Sequence, residues 1–156
     1  MKRISIIAVA LLVATQVFSQ DKTTNQNHKT MKLNAGIITE KLTETKEFYT
    51  KVLDFGVTFE NEFYLLLHTP NHQAELGFLL PNHPTQKPIF QQAFAGKGAY
   101  FTIEVEDVDS YYAAIKKKGI AIEVELRDEA WGDRHFAIVD PNGIGIDIVT
   151  YTEPEK

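Results

Sequence analysis

The chain has 156 residues, 44% of them hydrophobic and 24% charged, with a formal net charge of −5 and no Cys. That length allows one good core but not two ordinary domains, and the composition excludes fibrous and wholly disordered chains. An acidic chain without a basic stripe is a poor partner for nucleic acid or an anionic membrane surface, and the lack of Cys excludes disulfides and thiolate-bound metals.

Lys2 and Arg3 precede an apolar stretch from Ile4 to Phe18, broken only by Ser5, Thr15 and Gln16. Val17-Phe18-Ser19 then supplies residues that a signal peptidase tolerates, and a polar run begins at Gln20. The pattern predicts a cleaved signal peptide over 1–19, with an uncleaved anchor as the alternative, and a periplasmic or secreted product that leaves the membrane once the signal is removed. Cleavage removes two cations and no acid, so the mature chain is more acidic still. Residues 20–30 read as a flexible polar tail, in which His28 is a solvated residue.

Met31 to Thr39 is apolar and β-branched and reads as a strand. Thr43 is a plausible N-cap for a helix ending at Leu53, with Phe48, Tyr49, Val52 and Leu53 on one face. Strand patterns follow over Val57–Glu60, Phe63–His68 and Glu75–Leu80, separated by polar turns. Residues 81–98 carry Pro81, Pro84 and Pro88 and read as a connector, with a short helical turn over 88–95. Ala99–Val105 reads as a strand. Asp107 caps an amphipathic helix carrying Val108, Tyr111, Tyr112 and Ile115, and the helix ends in Lys116-Lys117-Lys118-Gly119. Cations in a last turn followed by Gly suit a helix C-terminus, so the triple Lys needs no ligand to explain it. Ile120–Leu126, Arg134–Val139 and Ile144–Tyr151 complete the strands, and Asp140-Pro141-Asn142-Gly143 makes a tight turn between the last two.

Each half therefore reads strand, helix, three strands. Displacing the first half so that Asn34 falls on Tyr100 places Leu42 on Val108. The expected fold is α+β: two βαβββ modules, 31–80 and 99–151, in one domain followed by a short tail over 152–156. The helices cover one face of a curved, mixed but mainly antiparallel sheet, and the other face surrounds a cleft. Expected core positions include Ile38, Phe48, Val52, Leu76, Phe78, Ile103, Ile115, Ile138 and Ile146.

Two segments carry a resemblance. Glu47-Phe48-Tyr49-Thr50-Lys51-Val52-Leu53-Asp54-Phe55 resembles the segment that ends the first helix in the vicinal oxygen chelate superfamily, which includes glyoxalases, bleomycin-resistance proteins and extradiol dioxygenases. Asp54 stands where that family usually has Gly. Trp131-Gly132-Asp133-Arg134 followed by Asp140-Pro141-Asn142-Gly143 and an apolar strand resembles its C-terminal signature. The match spans roughly Met31 to Tyr151. It implies the fold above and a homodimer, but not one function, because the superfamily hosts lyases, dioxygenases, epimerases, thiol transferases and simple drug binders.

By that resemblance the metal-ligand positions, on the first and last strand of each half, fall on Asn34, Glu75, Tyr100 and Asp147. The first-strand positions are usually His in metal-binding members. Asn is a weak neutral ligand, and a Tyr of ordinary pKa about 10 must lose a proton, at a cost of about 4 kcal/mol at pH 7. No cofactor is therefore expected; if a metal binds through Glu75 and Asp147, an all-oxygen set suits Mg, Mn or Ca better than Zn. Without a metal, Glu75 and Asp147 in one dry cavity would push one carboxyl pKa up, and Tyr100 could donate to it, giving an acid–base constellation. Solvated strand-end carboxylates are the plain alternative.

Asn34, Trp131, Arg134 and His135 are further ligand-binding candidates. Trp131 either lines a pocket mouth or caps the core. Arg134 pairs with an anionic ligand or with Asp133 or Asp128 at the surface. His135, next in the strand, points to the opposite face from Arg134, so only one of the two sees the cleft. His68, His72 and His83 lie at strand ends or turns and read as exposed. The favoured function is an exported protein that binds a small molecule in its cleft without a metal. The alternatives are a lyase, isomerase or dioxygenase-type enzyme working through Glu75 and Asp147, with or without a divalent ion, and an interaction platform with a filled cleft.

Overall fold

The computed structural model describes residues 32–152. The expected signal peptide, the tail over 20–30, Met31 and residues 153–156 lie outside the described residues. In chain order the elements are β1 (Ala35–Ile38), α1 (Leu42–Val52), β2 (Gly56–Glu60), β3 (Tyr64–His68), β4 (Glu75–Leu79), a 3-10 turn (Pro88–Phe90), β5 (Tyr100–Glu104), α2 (Val108–Lys117), β6 (Val124–Asp128), β7 (Asp133–Val139) and β8 (Gly145–Tyr151). Each half is a βαβββ module, and the fold is α+β as the patterning predicts.

The strands form two four-stranded sheets, in the orders β1-β4-β3-β2 and β5-β8-β7-β6. In each, the first strand runs parallel to the last and the remaining pairs are antiparallel. The inner faces share one core with both helices. Leu65, Leu67 and Phe78 meet Tyr49, Val52 and Leu53 of α1, Val108 and Ile115 of α2, and Phe136, Ile138, Ile146 and Ile148 of the second sheet. The opposite face of each sheet, called the outer face below, carries no helix of its own module.

Several boundaries move for physical reasons. The first strand starts at Ala35 rather than Met31, because β1 can pair only with the short β4, and Leu33 before it is 91% exposed. Ile37, not Ile38, packs on the core, since the register pairs Ile37 with Phe78 and Ile38 with Leu79. Helix α1 begins one residue before Thr43, after Lys41, and no side chain caps it. Asp107 does cap α2: its carboxylate accepts from the Ser110 amide at 3.0 Å. Gly119 follows α2 with φ +74°, the left-handed conformation its place demands. Ile120 and Ile122 pack on the core as irregular chain before β6 begins at Val124.

The turn Asp140–Gly143 does more than reverse the chain. Asp140 and Asn142 are both buried. The Asp140 carboxylate accepts from the amides of Asn142 (2.8 Å) and Ile144 (2.9 Å), from Asn142 Nδ2 (2.9 Å) and from the Tyr49 hydroxyl (3.2 Å). Asn142 Nδ2 also donates to Thr45 Oγ1 at 3.0 Å, and Thr39 Oγ1 donates to Asn142 Oδ1 at 2.6 Å. A buried polar network thus ties the last hairpin to α1 and to Thr39, just after β1, in the other module.

Candidate ligand-binding faces

Alternation along the strands places the candidate residues. On β4, Leu76 and Phe78 face the core, so Glu75, Gly77 and Leu79 face outward. Asn34 stands beside Glu75 just before β1, and its Nδ2 donates to Glu75 Oε2 at 3.2 Å. Thr58 of β2 donates to Glu75 Oε1, also at 3.2 Å. His68 is the cross-strand neighbour of Glu75 on β3. Its ring lies over Gly56, where an added Cβ would come within 2.2 Å of Nε2, and it stacks on His72 at 3.7 Å.

On the second sheet Asp147 pairs laterally with Thr102 and Ala137 on the outer face. His135 lies diagonally across, and its Nδ1 is 2.6 Å from Asp147 Oδ1. Its Nε2 is 3.2 Å from Glu129 Oε1, and Arg127 clasps the same Glu129 oxygen at 2.5 and 2.6 Å. The imidazole is only 14% exposed. Burial works against its charged form, but the hydrogen bonds that the ring donates to Asp147 and Glu129, with the charges of those carboxylates, outweigh it and hold the pKa above the usual histidine value. Desolvation acts on Glu129 in the opposite sense, and His135 and Arg127 overcome it and lower that carboxyl.

The candidates therefore form two groups, one on each sheet: Asn34 with Glu75, and His135 with Asp147. The displacement that carries Asn34 to Tyr100 carries Gly36 to Thr102. Their ladder partners are Gly77 and Asp147, while Tyr100 pairs with Gly145. The counterpart of Asp147 is thus Gly77, and that of Glu75 is Gly145. Glu75 and Asp147 lie on corresponding faces but one row apart, a displacement that alternation cannot detect.

Arg134 turns to the other face, as its neighbour's position requires. It forms a two-pronged pair with Asp109 (2.7 and 2.8 Å) and reaches Asp128 at 2.9 Å. Trp131, 64% exposed at the tip of the β6–β7 hairpin, does not cap the core; its Nε1 donates to Asp133 at 2.7 Å. Tyr100 is 73% exposed at the start of β5. Glu129 escapes a sequence reading because only the hairpin's fold-back brings it to His135.

As a metal centre the donor set fits poorly. Both ring nitrogens of His135 face carboxylates, the first-strand positions are an amide and a phenol, and among the described residues no group of three or more His, Cys, Asp or Glu is placed to hold an ion.

The first sheet also carries an open trough. One cavity of about 370 Å³ is lined by Asn34, Gly36, Ile38, Tyr64, Gly77 and Phe90 among others. An adjoining one of about 410 Å³ shares Tyr64, Leu79 and Phe90 and extends to Phe59 and Phe63. The lining of both comes wholly from the first module and the connector.

The model of the Glyoxalase/Bleomycin resistance protein/Dioxygenase superfamily matches residues 28–148. Among solved structures, a glyoxalase/bleomycin resistance protein/dioxygenase from Nocardioides aligns with a TM-score of 0.66 at 18% identity, over 81% of this chain and 87% of that one. An antibiotic binding protein from Streptomyces sp. CB03234 aligns with a TM-score of 0.63 at 16% identity, over 80% of this chain and 98% of that one. A bleomycin-binding protein complexed with bleomycin aligns with a TM-score of 0.57 at 22% identity, over 78% and 98%. No curated protein matches the chain. At these identities the likeness extends to the fold.

Proposed function

Because the chain belongs to the glyoxalase/bleomycin resistance protein/dioxygenase superfamily, we propose that it is an exported protein that captures a small molecule on the outer face of its first sheet. It works as a homodimer and needs no metal ion. The observation that carries the reading is the trough over β1, β4 and β3: an apolar, partly aromatic hollow with a few polar groups at one end, the usual make-up of a ligand site. Phe59 and Phe90, 50% and 53% exposed, give that face a hydrophobic character that a solvated surface does not need. Two structural relatives bind an antibiotic and bleomycin, by their own descriptions, which agrees with a binding role. Export rests on the basic and apolar start of the chain.

The test is a thermal-shift screen of a chemically varied compound library, with hits confirmed by calorimetry and metal content measured in the same preparation. Saturable binding by metal-free protein, at one site per subunit of a dimer by light scattering, is the expected result. Stoichiometric metal that survives chelation, or no binder in the library, overturns it.

The Glu129–His135–Asp147 array favours a second reading, acid–base catalysis on the second sheet. The Asp147 carboxylate can accept a proton from a carbon acid, while the imidazolium between it and Glu129 gives a proton to the oxygen of the enolate that forms, and both protons return when the carbon is reprotonated. Exchange of α-hydrogens of simple keto acids in heavy water, followed by NMR, tests it. Exchange abolished in His135→Gln supports the reading, and exchange no faster than in buffer rejects it.

A further inference from the structure

Part of the floor of the trough is glycine and contributes no side chains of its own. Gly36 and Gly77 sit in register on adjacent strands, both toward the outer face. A Cβ added at Gly36 would meet nothing nearer than the Gly77 carbonyl oxygen at 3.9 Å, so the strip above it is open. A Cβ at Gly77 would come within 2.6 Å of the Tyr64 hydroxyl and 3.3 Å of its ring, so the hydroxyl end of the phenol sits over that glycine. A glycine pair in a sheet marks a place where something approaches the backbone closely. Here a ring of the protein already does so over one glycine, and the space over the other is vacant.

The walls have the same character. The 3-10 turn Pro88–Phe90 brings Phe90 to both parts of the trough, and Phe59 stands 6.3 Å from Tyr64, ring to ring, at a tilt of 41°. One row along β4 from Gly77, roughly 7 Å away by strand geometry, Glu75 accepts from Asn34 and Thr58. A carboxylate has only acceptor sites, about four of them, so a ligand atom that joins it must be a donor.

We propose that the Gly36–Gly77 trough binds a planar aromatic molecule bearing a hydrogen-bond donor, an amine or hydroxyl, that reaches Glu75. The proposal rests on the small-molecule reading above and names its ligand class. A flat ring system lies on the glycine floor beside Tyr64 and under Phe90, burying its faces against rings that otherwise stand in water. A bulky, three-dimensional ligand gains little from a side-chain-free strip. The acidic chain, at −5, also favours approach of an amine over an acid.

The experiment uses the full chain and proflavine, a flat tricycle with amino groups, followed by fluorescence anisotropy, with 1-adamantylamine as a compact amine without a planar face. Titrations compare the wild type with Gly36→Val, Phe90→Ala and Glu75→Gln, each with its thermal midpoint and oligomeric mass measured alongside. Gly36→Val fills the open strip with a residue that strands accept well, so folding is kept. Saturable proflavine binding is expected, weakened about tenfold in each variant, and no binding of 1-adamantylamine. Equal proflavine affinity in all four proteins overturns the proposal. So does a library hit of compact or acidic shape that Gly36→Val abolishes while proflavine fails to bind, an outcome that leaves the small-molecule reading intact. A library without any binder defeats both. If Gly36→Val instead turns a dimer into a monomer without changing proflavine affinity, the trough is a subunit contact and the proposal falls.

Discussion

His135 hangs between Asp147 and Glu129, and its charged form is the one that this arrangement holds. A pKa raised on folding stabilises the native state fully below the unfolded histidine value of about 6.5, and that contribution disappears as pH rises through the higher folded value. The thermal midpoint of the wild type should therefore fall between neutral and mildly alkaline pH more than that of Asp147→Asn, in which the strongest partner of the imidazolium is gone. Parallel pH profiles for the two proteins would contradict this. Asp54 offers a second test at the same scale. It has φ +57° just after α1, a left-handed conformation where the family usually carries Gly. Its carboxylate is 70% exposed and only 3.5 Å from Lys118 Nζ, an ion pair of little worth. Asp54→Gly should raise stability by about 0.5–1 kcal/mol, read as a higher urea midpoint at unchanged slope.

At the scale of elements, the Asp140–Gly143 turn acts as a latch between modules. Tyr49 is fully buried, and desolvation together with Asp140 keeps its phenol protonated at any ordinary pH, so it is a donor and nothing else. Tyr49→Phe removes one of the bonds that satisfy a buried carboxylate and should cost about 1–2 kcal/mol. Asn142→Ala breaks bonds to Thr39, Thr45 and Asp140 together and should cost about 3 kcal/mol. A loss under 0.5 kcal/mol for Asn142→Ala in urea unfolding would show that the network contributes little. This latch also marks the limit of what the sequence makes legible. Asp-Pro-Asn-Gly announces a turn through local backbone preference, and local preference says nothing of Tyr49, which is far away in the chain. The resemblance likewise singles out Glu75 and Asp147, and alternation along β4 and β8 sets both on outward faces, because a residue's parity is local. The row each occupies depends on strand register, and register is fixed by packing across the sheet. The Gly36–Gly77 floor was invisible for the same reason: neither glycine signals anything until the ladder sets them side by side. What could be read, the two helices, the repeated element order and the cap at Asp107, is what short-range periodicity and capping chemistry determine.

For the whole molecule, the decisive feature is that one core serves both modules. Leu67 on β3 and Ile146 on β8 belong to different sheets yet to the same buried cluster, and both are fully buried. Lys118 Nζ at the end of α2 donates to the Val52 carbonyl at the end of α1 at 2.9 Å, so the helix ends also meet across the module boundary. A module with half of that core could not bury its own sheet, and a four-stranded sheet with one short helix leaves too much apolar surface in water to stand alone. The two halves should then fold as a unit, in spite of the repeat that separates them in sequence. Leu67→Ala should cost about 2–5 kcal/mol through lost burial and the cavity left behind. Hydrogen-exchange protection should drop together in β3 and β4 of its own module and in β7 and β8 of the other, by similar free energies, with a single urea transition. Protection lost in β3 and β4 but kept in β7 and β8 would mean that the modules are separable units. In that case the shared cluster would be a contact between two small domains and not a common core.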